Sequence, residues 1–481
     1  MPFRLAATAL VLAACALPAV AELPAAVAAR LDAERIPQDA MAVYVKRVSD
    51  GKVLVAHNAD RSMQPASTLK LLTSLAALET LGPGFRGRSE LRTAGVVVDG
   101  VLKGDLVLRG EGDVDLDWQA FQGMLRVVRL AGIREVRGDF VLDRSAFNPA
   151  RSDVGVPPFD ETPEFRYNVI PDALLLNTNL VRIDMVSGQR GVRAALTPAL
   201  AGVTVSAAFE LVDRACDDWE DGWLIPDVKT VRGAIHIVLR GTFPRECAAS
   251  TAVNVLDRAL FADRLFRAEW GRLGGKFRGR TREDETPAGT RLLAQHRSRP
   301  LGEVVVDINK RSDNPIARMV YLAMGASAGE PRVPTARAAE RHVRAWLARK
   351  GIGGEGLVLE NGSGLSRSER IRPAQLAAIL EAALASPWAP EFVASLPIVA
   401  VDGGMRGRLQ GTPAAERGRI KTGTLRDVSA VAGYLKDDEG ESYIVVAMVN
   451  HERAVKEVAR PILDALLQWL VAARERAGSP P

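Results

Sequence analysis

Short strand-like runs of apolar residues lie near both ends of this chain. Near the N-terminus, runs at 42–48 and 53–57 flank Asp50-Gly51, a pair typical of a tight hairpin turn. Near the C-terminus, three further strand-like runs follow one another at meander spacing. They are 418–424, 428–435 and 442–450. The pattern predicts one antiparallel sheet that is built from the two ends of the chain.

Apolar residues at helical spacing predict the helices that would cover this sheet. One follows Pro65, which suits a chain entering a helix, and continues through a strongly apolar run. Two more are expected at 301–310 and 316–323, with Pro315 breaking the helical pattern between them. A last helix is expected at 454–474 and should pack on the sheet. Its apolar positions are Val458, Ile462, Leu463, Leu466, Leu467 and Leu470.

Between these two sets of elements the chain carries short strand-like runs separated by turns with proline and glycine. A first β-rich unit would contain the runs 96–101, 105–109 and 139–143, and a second unit the runs 181–186, 202–211 and 231–240. The expected fold class is α+β, in which a discontinuous main domain carries a large, mainly β insert of two smaller domains. The expected divisions are 1–21, 22–90, 91–165, 166–290 and 291–481.

The first candidate for chemistry is the string Ser67-Thr68-Leu69-Lys70. On a helix, a spacing of three residues places Ser67 and Lys70 on one face. A serine hydroxyl is a poor nucleophile until a base takes its proton, and a lysine can be that base once burial lowers its pKa. The same spacing also occurs by chance at Ser49 and Lys52, but there it spans the predicted hairpin turn. We therefore predict Ser67 as the nucleophile.

The second candidate is Ser312-Asp313-Asn314, which lies between two predicted helices. A serine in that loop could relay a proton between Lys70 and a leaving group. Asn314 offers a donor and an acceptor, which fits the amide of a bound peptide. The alternative is an ordinary helix N-terminus, since serine, aspartate and asparagine are all good N-caps.

The third candidate is Lys421-Thr422-Gly423-Thr424, on a strand-like run. It combines a cation, a hydroxyl and a glycine that leaves room for the close approach of a ligand backbone, and this combination suits a substrate carboxylate. The alternative is a solvated lysine on an edge strand.

Together and in this order, the three motifs resemble those of penicillin-binding proteins and serine β-lactamases. Ser67 and Ser312 are 245 residues apart, and Ser312 and Lys421 are 109 apart. This spacing is similar to that of the low-molecular-mass penicillin-binding proteins with a large insert, the D-alanyl-D-alanine carboxypeptidases/endopeptidases. Other segments that resemble this family are Ala66-Ser67, Asn309-Lys310, Asn361–Arg367, Gly104–Asp113 and Asn177–Asn179. The chain departs from the family at Asn361, where aspartate is usual, and at Val114, where proline is usual.

The resemblance implies a transpeptidase-type domain and a penicillin-sensitive serine peptidase that acts on peptidoglycan stem peptides and cross-links. It implies that Ser67 attacks the carbonyl between two D-alanines, that Lys70 is the base, and that Ser312 relays the proton to the leaving amine. The residues implied in substrate binding are Asn314, Lys421, Thr422, Gly423 and Thr424. The backbone N–H groups of Ser67 and Thr424 would form the oxyanion hole. β-Lactam antibiotics would be covalent inhibitors, and no cofactor or metal is implied.

Two other functions compete with this interpretation. A β-lactamase of one class would need a glutamate and an asparagine on a loop after the second motif. The nearest match, Glu164 to Asn168, instead precedes Ser312, so we interpret it as coincidental. A catalytically idle cell-wall scaffold is disfavoured because all three motifs are intact. The role of the insert stays open between substrate recognition, homodimer contact and partner docking.

The N-terminus is typical of a secretion signal, with Arg4, an apolar stretch, and Ala19-Val20-Ala21 as a cleavage site. A secreted, periplasmic protein is expected, and a lipoprotein anchored at Cys15 is the alternative. Cleavage after Ala21 would leave two cysteines, and an even number in an oxidising compartment predicts a disulfide between Cys216 and Cys247. The alternative is a pair of free buried thiols.

Composition agrees with a large globular enzyme. The chain has 481 residues, is 47% hydrophobic and has a net charge of +5. The charge comes from dispersed arginines without aromatic residues between them, so no nucleic-acid partner is expected. The five histidines are scattered, which gives neither a metal-ligand spacing nor a histidine-based triad.

Overall fold

The computed structural model describes residues 22–472, so the predicted signal sequence and Cys15 lie outside the described residues. The helices are α1 (Ala25–Ala33), α2 (Lys70–Leu81), α3 (Trp118–Leu130), α4 (Arg258–Arg272), α5 (Leu301–Lys310), α6 (Asn314–Ser327), α7 (Thr335–Arg349), α8 (Pro373–Leu384), α9 (Ala389–Ala394) and α10 (Lys456–Val471). Strands β1 to β10 are Met41–Arg47, Val53–His57, Arg88–Thr93, Val96–Val98, Val101–Lys103, Leu106–Glu111, Glu135–Val136, Phe140–Asp143, Val181–Ser187 and Val192–Thr197. Strands β11 to β20 are Val203–Val212, Trp223–Val231, Ala234–Pro244, Ala248–Val253, Lys276–Phe277, Thr281–Glu283, Arg291–Arg297, Gly418–Leu425, Val428–Lys436 and Ser442–Asn450.

One antiparallel sheet joins the two ends of the chain, as the sequence predicts. Its strand order is β18-β19-β20-β1-β2, and Val43 of β1 pairs with Ala447 of β20. We call it the terminal sheet. The hairpin turn is also confirmed, because the Asp50 carboxylate accepts a hydrogen bond from the Lys52 backbone N–H at 3.0 Å. Ser49 therefore lies in a turn, where its hydroxyl donates to Glu441 at 2.9 Å.

Helices cover both faces of the terminal sheet. Helices α1 and α10 pack on one face, and α2, α5, α6 and α8 form the layer on the other. Strand β19 is buried along almost its whole length, which explains its nearly continuous apolar sequence. Helix α10 packs on the sheet as predicted, although it begins at Lys456, and Arg474 of the predicted range lies outside the described residues.

The prediction that Pro315 breaks the helical pattern is wrong. Helix α6 begins at Asn314, and Pro315 lies in its first turn. In that turn a backbone N–H has no helical acceptor, so a proline costs nothing there.

The insert contains four sheets, with strand orders β16-β8-β6-β3-β17, β15-β7-β5-β4, β11-β13-β12 and β10-β9-β14. The predicted run 96–101 is not one strand but the hairpin of β4 and β5, with Asp99 and Gly100 at positive φ in its turn. The predicted run 231–240 is likewise divided by a turn at Arg232 and Gly233, between β12 and β13.

Strands from the end of the insert return to the sheets of its beginning. β15 pairs with β7, β16 with β8, and β17 with β3. Strands β9 to β14 form two sheets of their own between these two segments. We propose that the first inserted unit is itself discontinuous in sequence and that the second inserted unit lies between its two segments. This proposal refines the divisions at 91–165 and 166–290, which stay predictions. The predicted disulfide is present: Cys216 and Cys247 are bonded, with their Cα atoms 5.3 Å apart.

No helix among residues 22–472 is both long and apolar enough to cross a membrane.

Candidate active site

Ser67 lies in a tight turn at the entrance of α2. A short 3₁₀ segment, Ala66–Leu69, leads into the helix, and Ala66 has a φ of 45°, which is unusual for a residue with a side chain. Two glycines pack closely against this turn. A Cβ on Gly364 would lie 1.8 Å from the Ala66 carbonyl oxygen, and one on Gly423 would lie 2.9 Å from the Ser67 nitrogen. The backbone of Ser67 is therefore held between two segments that only glycine lets come so close.

Lys70 is fully buried one turn beyond Ser67. Its Nζ lies 2.9 Å from Ser67 Oγ, 2.6 Å from Asn314 Oδ1 and 2.5 Å from the Ser363 carbonyl oxygen. The last two atoms can only accept hydrogen bonds. A neutral amine has two N–H groups, so donating to both acceptors leaves its lone pair for the Ser67 hydroxyl.

Burial lowers the pKa of Lys70 from its ordinary value to about 7. The carboxylates of Asp313 and Glu369 oppose this shift, and Arg318 adds to it. Desolvation disfavours the charged form of a lysine, and no carboxylate in the described structure lies within ion-pair distance of Nζ to compensate. At neutral pH a substantial fraction of Lys70 is therefore an uncharged amine that can accept a proton.

The loop between α5 and α6 carries the second motif. Ser312 has a φ of 57°, and the Asp313 side chain accepts from the Ile316 N–H at 2.9 Å as the N-cap of α6. The segment is thus a helix cap, as the alternative interpretation predicted, and its Ser312 and Asn314 also contact the two lysines of the site. Buried Asn314 donates through Nδ2 to the Tyr167 carbonyl at 3.1 Å. Because a carbonyl only accepts, this bond fixes Oδ1 of Asn314 toward Lys70.

The third motif lies on β18, opposite the second. Buried Lys421 donates to Ser312 Oγ at 2.9 Å and to the Thr422 carbonyl at 2.7 Å. Burial, together with nearby Lys70, lowers the pKa of Lys421 well below its ordinary value. Gly423 does give room for a close approach, but in this structure the approaching backbone is that of Pro65–Ser67. Thr424 is exposed and faces the same cavity as Ser67.

Sequence reasoning missed Glu369. Its fully buried carboxylate accepts backbone hydrogen bonds of 2.8–3.1 Å from residues 360, 361, 362 and 364. Burial raises the pKa of Glu369, although these four bonds oppose the shift. The carboxylate shapes the loop whose Ser363 carbonyl holds Lys70. The signal in the sequence was the glycine-rich run Asn361–Leu365, whose backbone N–H groups need an acceptor outside regular structure.

Ser67 opens onto a cavity of about 350 Å³. Ser312, Asn314 and Thr424 line it from the main domain, and a segment of the insert closes it on another side. We call this segment, residues 159–167, the insert wall. The sequence did not place it near the site.

Besides the bond from Asn314 to the Tyr167 carbonyl, three side-chain contacts hold the insert wall to the main domain. Glu161 pairs with Arg426 at 2.9 Å, and Arg166 pairs with Asp313 at 2.8 Å. The Arg367 guanidinium lies 5.2 Å from the centre of the Phe159 ring. Glu164, part of the match weighed for a β-lactamase, is buried and accepts from the Trp223 indole at 2.9 Å.

Within residues 22–472, no group of histidine, cysteine, aspartate and glutamate side chains is arranged to hold a metal ion.

The fold and this pair of lysine-bonded serines define the class of active-site serine acyl-transfer enzymes to which penicillin-binding proteins belong. The model of the D-Ala-D-Ala carboxypeptidase 3 (S13) family matches residues 23–472. The chain belongs to this family and is a serine-type D-alanyl-D-alanine carboxypeptidase.

Comparison with individual proteins gives the same family. The chain is 30% identical over 424 residues to a D-alanyl-D-alanine carboxypeptidase of Actinomadura sp. strain R39. The aligned region covers 85% of this chain and 77% of the relative. The crystal structure of penicillin binding protein 4 (dacB) from Haemophilus influenzae superposes with a TM-score of 0.77 at 22% identity, and covers 94% of this chain and 99% of that one. The same protein complexed with a β-lactam gives a TM-score of 0.73 at 22% identity, with the same coverage.

Proposed function

We propose that Ser67 is the nucleophile of a DD-peptidase that cleaves both the terminal D-alanine of peptidoglycan stem peptides and the peptide cross-links between them. One observation carries the assignment: two buried lysines each lie 2.9 Å from a serine hydroxyl, Lys70 from Ser67 and Lys421 from Ser312. Two such pairs at one cavity supply a base for attack and a proton relay for departure.

The chemistry follows from these contacts. Neutral Lys70 takes the proton of Ser67, whose oxygen attacks the carbonyl carbon between the two D-residues. The backbone N–H groups of Ser67 and Thr424 would stabilise the oxyanion. As the C–N bond breaks, the proton passes from Lys70 through Ser312 to the leaving amine. Water then hydrolyses the ester on Ser67, which regenerates the enzyme.

Lys421 and Thr422 would receive the terminal carboxylate of the substrate. A carboxylate that binds beside a buried amine raises the pKa of that amine, because an adjacent negative charge favours the ammonium form. Substrate binding would thus oppose the lowering of the Lys421 pKa by burial. Gly423 and Thr424 would extend along the bound peptide as the edge of β18, and Asn314 would hold the amide on the acyl side.

The cavity also fits the side chain on the acyl side. It is lined by acidic Asp160, by basic Arg367 and by the apolar Leu365 and Leu425. A long side chain that ends in both an amine and a carboxylate, such as diaminopimelate at the third position, would find a partner for each group. The insert wall would then contribute to substrate choice.

We propose that the enzyme is penicillin-sensitive and acts outside the cytoplasm, where peptidoglycan lies. The β-lactam complex of the H. influenzae protein supports the first point, and the secretion signal expected from the sequence supports the second.

The test is to treat the purified protein with a fluorescent penicillin and to map the adduct by peptide mass spectrometry. A stable adduct on the Ser67 peptide, absent in Ser67→Ala, is the expected result. The Ser49→Ala variant is the matched control and should label normally. An adduct at another serine, rapid hydrolysis of the drug, or no reaction would overturn the proposal.

A further inference from the structure

A second cavity lies at the junction of the insert with α5 and α6. It has a volume of about 640 Å³ and is lined by six arginines. They are Arg86, Arg166, Arg182, Arg297, Arg299 and Arg311. Three aspartates also line it, so the cations outnumber the acids two to one. We call this cavity the arginine cleft.

Not all of these arginines are neutralised. Arg299 pairs with Asp115 at 2.9 Å and with Asp307 at 2.7 Å. Other pairs are Arg166–Asp313, Arg182–Asp184 and Arg311–Asp307. Arg86, however, donates only to the Ser298 carbonyl at 2.7 Å, and exposed Arg297 makes no side-chain hydrogen bond or ion pair within the described chain. The cleft therefore presents two guanidinium groups, those of Arg86 and Arg297, that have no carboxylate partner within residues 22–472 and can attract the carboxylates of a ligand.

A third cavity, of about 420 Å³, shares lining residues with both the arginine cleft and the Ser67 cavity. It shares Ser312 and Asn314 with the Ser67 cavity, and Arg166 and Arg311 with the arginine cleft. This third cavity meets the Ser67 cavity beside Ser312, the residue that we propose to protonate the leaving amine. Of these three cavities, Phe159, Asp160 and Arg367 line only the Ser67 cavity, where we place the acyl side of the substrate.

We infer that the arginine cleft binds the carboxylates of the leaving peptide when the substrate is a cross-link. This inference rests on the proposed function. When a terminal D-alanine is removed, the leaving group is one amino acid with a single carboxylate, which Lys421 and Thr422 would hold. When a cross-link is cut, the leaving amine belongs to a second stem peptide, which carries further carboxylates and extends past Ser312. The cleft thus selects cross-linked over monomeric substrates.

The experiment compares two substrates on one double variant. Arg86→Gln with Arg297→Gln removes the two guanidinium groups that have no ion pair within residues 22–472. The control is Arg190→Gln in the turn between β9 and β10, an exposed arginine that likewise has no ion pair within these residues. The rate of cleavage of a cross-linked peptide dimer and the release of D-alanine from a monomeric pentapeptide are measured at low and high salt. Acylation by penicillin is measured on the same samples.

For the double variant we expect kcat/KM on the dimer to fall about fivefold to tenfold through a higher KM, as two exposed ion pairs would give. Pentapeptide turnover and penicillin acylation should stay unchanged, and salt should weaken the preference of the unmodified enzyme for the dimer. An equal effect on both substrates, no effect on the dimer, or no dimer cleavage by the unmodified enzyme would overturn the inference. Failure of penicillin acylation in the unmodified enzyme would instead overturn the proposed function.

Discussion

At the scale of single residues, the site depends on a lysine without a carboxylate partner. An ion pair would hold Lys70 in its charged form, which has three N–H groups and no lone pair. Instead it meets an amide oxygen, a carbonyl oxygen and a serine hydroxyl in a buried position. Glu369 is near enough to affect its pKa but gives its own hydrogen-bonding capacity to the loop of residues 360–364.

The pKa of Lys70 predicts the pH dependence of acylation. Because our proposal makes the neutral amine of Lys70 the base, the acylation rate should fall as pH drops below about 7, by about tenfold per pH unit. The measurement is the second-order rate constant for a β-lactam that does not itself titrate across the neutral range. A flat profile through neutrality would contradict the assignment of Lys70 as the base.

Stability must be followed as well, because the same group also affects folding. Folded Lys70 has a pKa of about 7 while its ordinary value is 10.5, so the unfolded chain binds more protons between these values. This group therefore makes the folded state more stable as pH rises from about 7 to 10.5, and below about pH 7 its unfavourable contribution is at its maximum and no longer changes with pH. Circular dichroism at each pH separates the loss of the base from the loss of the fold.

At the scale of elements, the site is assembled by close approach of backbone segments. Strand β18 lies against the turn of Ser67 because Gly423 has no side chain, and the loop at Gly364 does the same from another side. The oxyanion hole proposed for Ser67 and Thr424 needs this proximity, since its two donors come from the two segments that meet at Gly423.

The substitution Gly423→Ala tests this packing. The new Cβ would lie 2.7 Å from the Pro65 carbonyl oxygen and 2.9 Å from the Ser67 nitrogen, so β18 and the turn must separate. A misplacement of about 1 Å can cost about 100-fold in rate, and we expect penicillin acylation to slow by up to that amount. The control is Gly407→Ala, where a Cβ would meet nothing within 4 Å. Equal acylation rates for the two variants would contradict the prediction.

The elements that the sequence predicts best are those with a strong local pattern. The apolar strands of the terminal sheet and helix α5 appear within one residue of the predicted limits. The hairpin turn at Asp99-Gly100 was missed, although the same pair marks the turn at Asp50-Gly51, because the valines on both sides of it were assigned to one strand. Among the candidate site residues, the lysines and serines could be named from their motifs. Glu369 and the insert wall could not, because only tertiary contacts bring them to the site.

At the scale of the whole molecule, the second inserted unit is held by a covalent bond as well as by its core. The bond between Cys216 and Cys247 closes a loop with a sequence separation of 31 residues. Trp219 and Trp223 lie beside this bridge and contact each other edge to face. Through the bond between Trp223 and Glu164, this part of the insert is also linked to the insert wall.

Removal of the bridge by Cys216→Ser with Cys247→Ser should lower the free energy of unfolding of this unit by about 3–4 kcal/mol in the chain-entropy model. The measurement is tryptophan fluorescence during urea unfolding, which reports on Trp219 and Trp223 among others. Reduction of the unmodified protein should reproduce the shift. If neither treatment moves the transition, the bridge does not stabilise the insert.

The terminal sheet has a consequence for when the enzyme can first act. Gln64, three residues before Ser67, donates to Asn450 across a sequence separation of 386 residues. Contacts between residues so distant in the chain form slowly, because closing the long loop between them costs entropy before the contact repays it. During synthesis, β18 and Asn450 also emerge long after Ser67. A growing chain therefore displays Ser67 and Lys70 long before β18 supplies Lys421 and the strand edge that we propose to bind the substrate. A fragment that stops before β18 would carry the proposed nucleophile and its base but not the strand that completes the site.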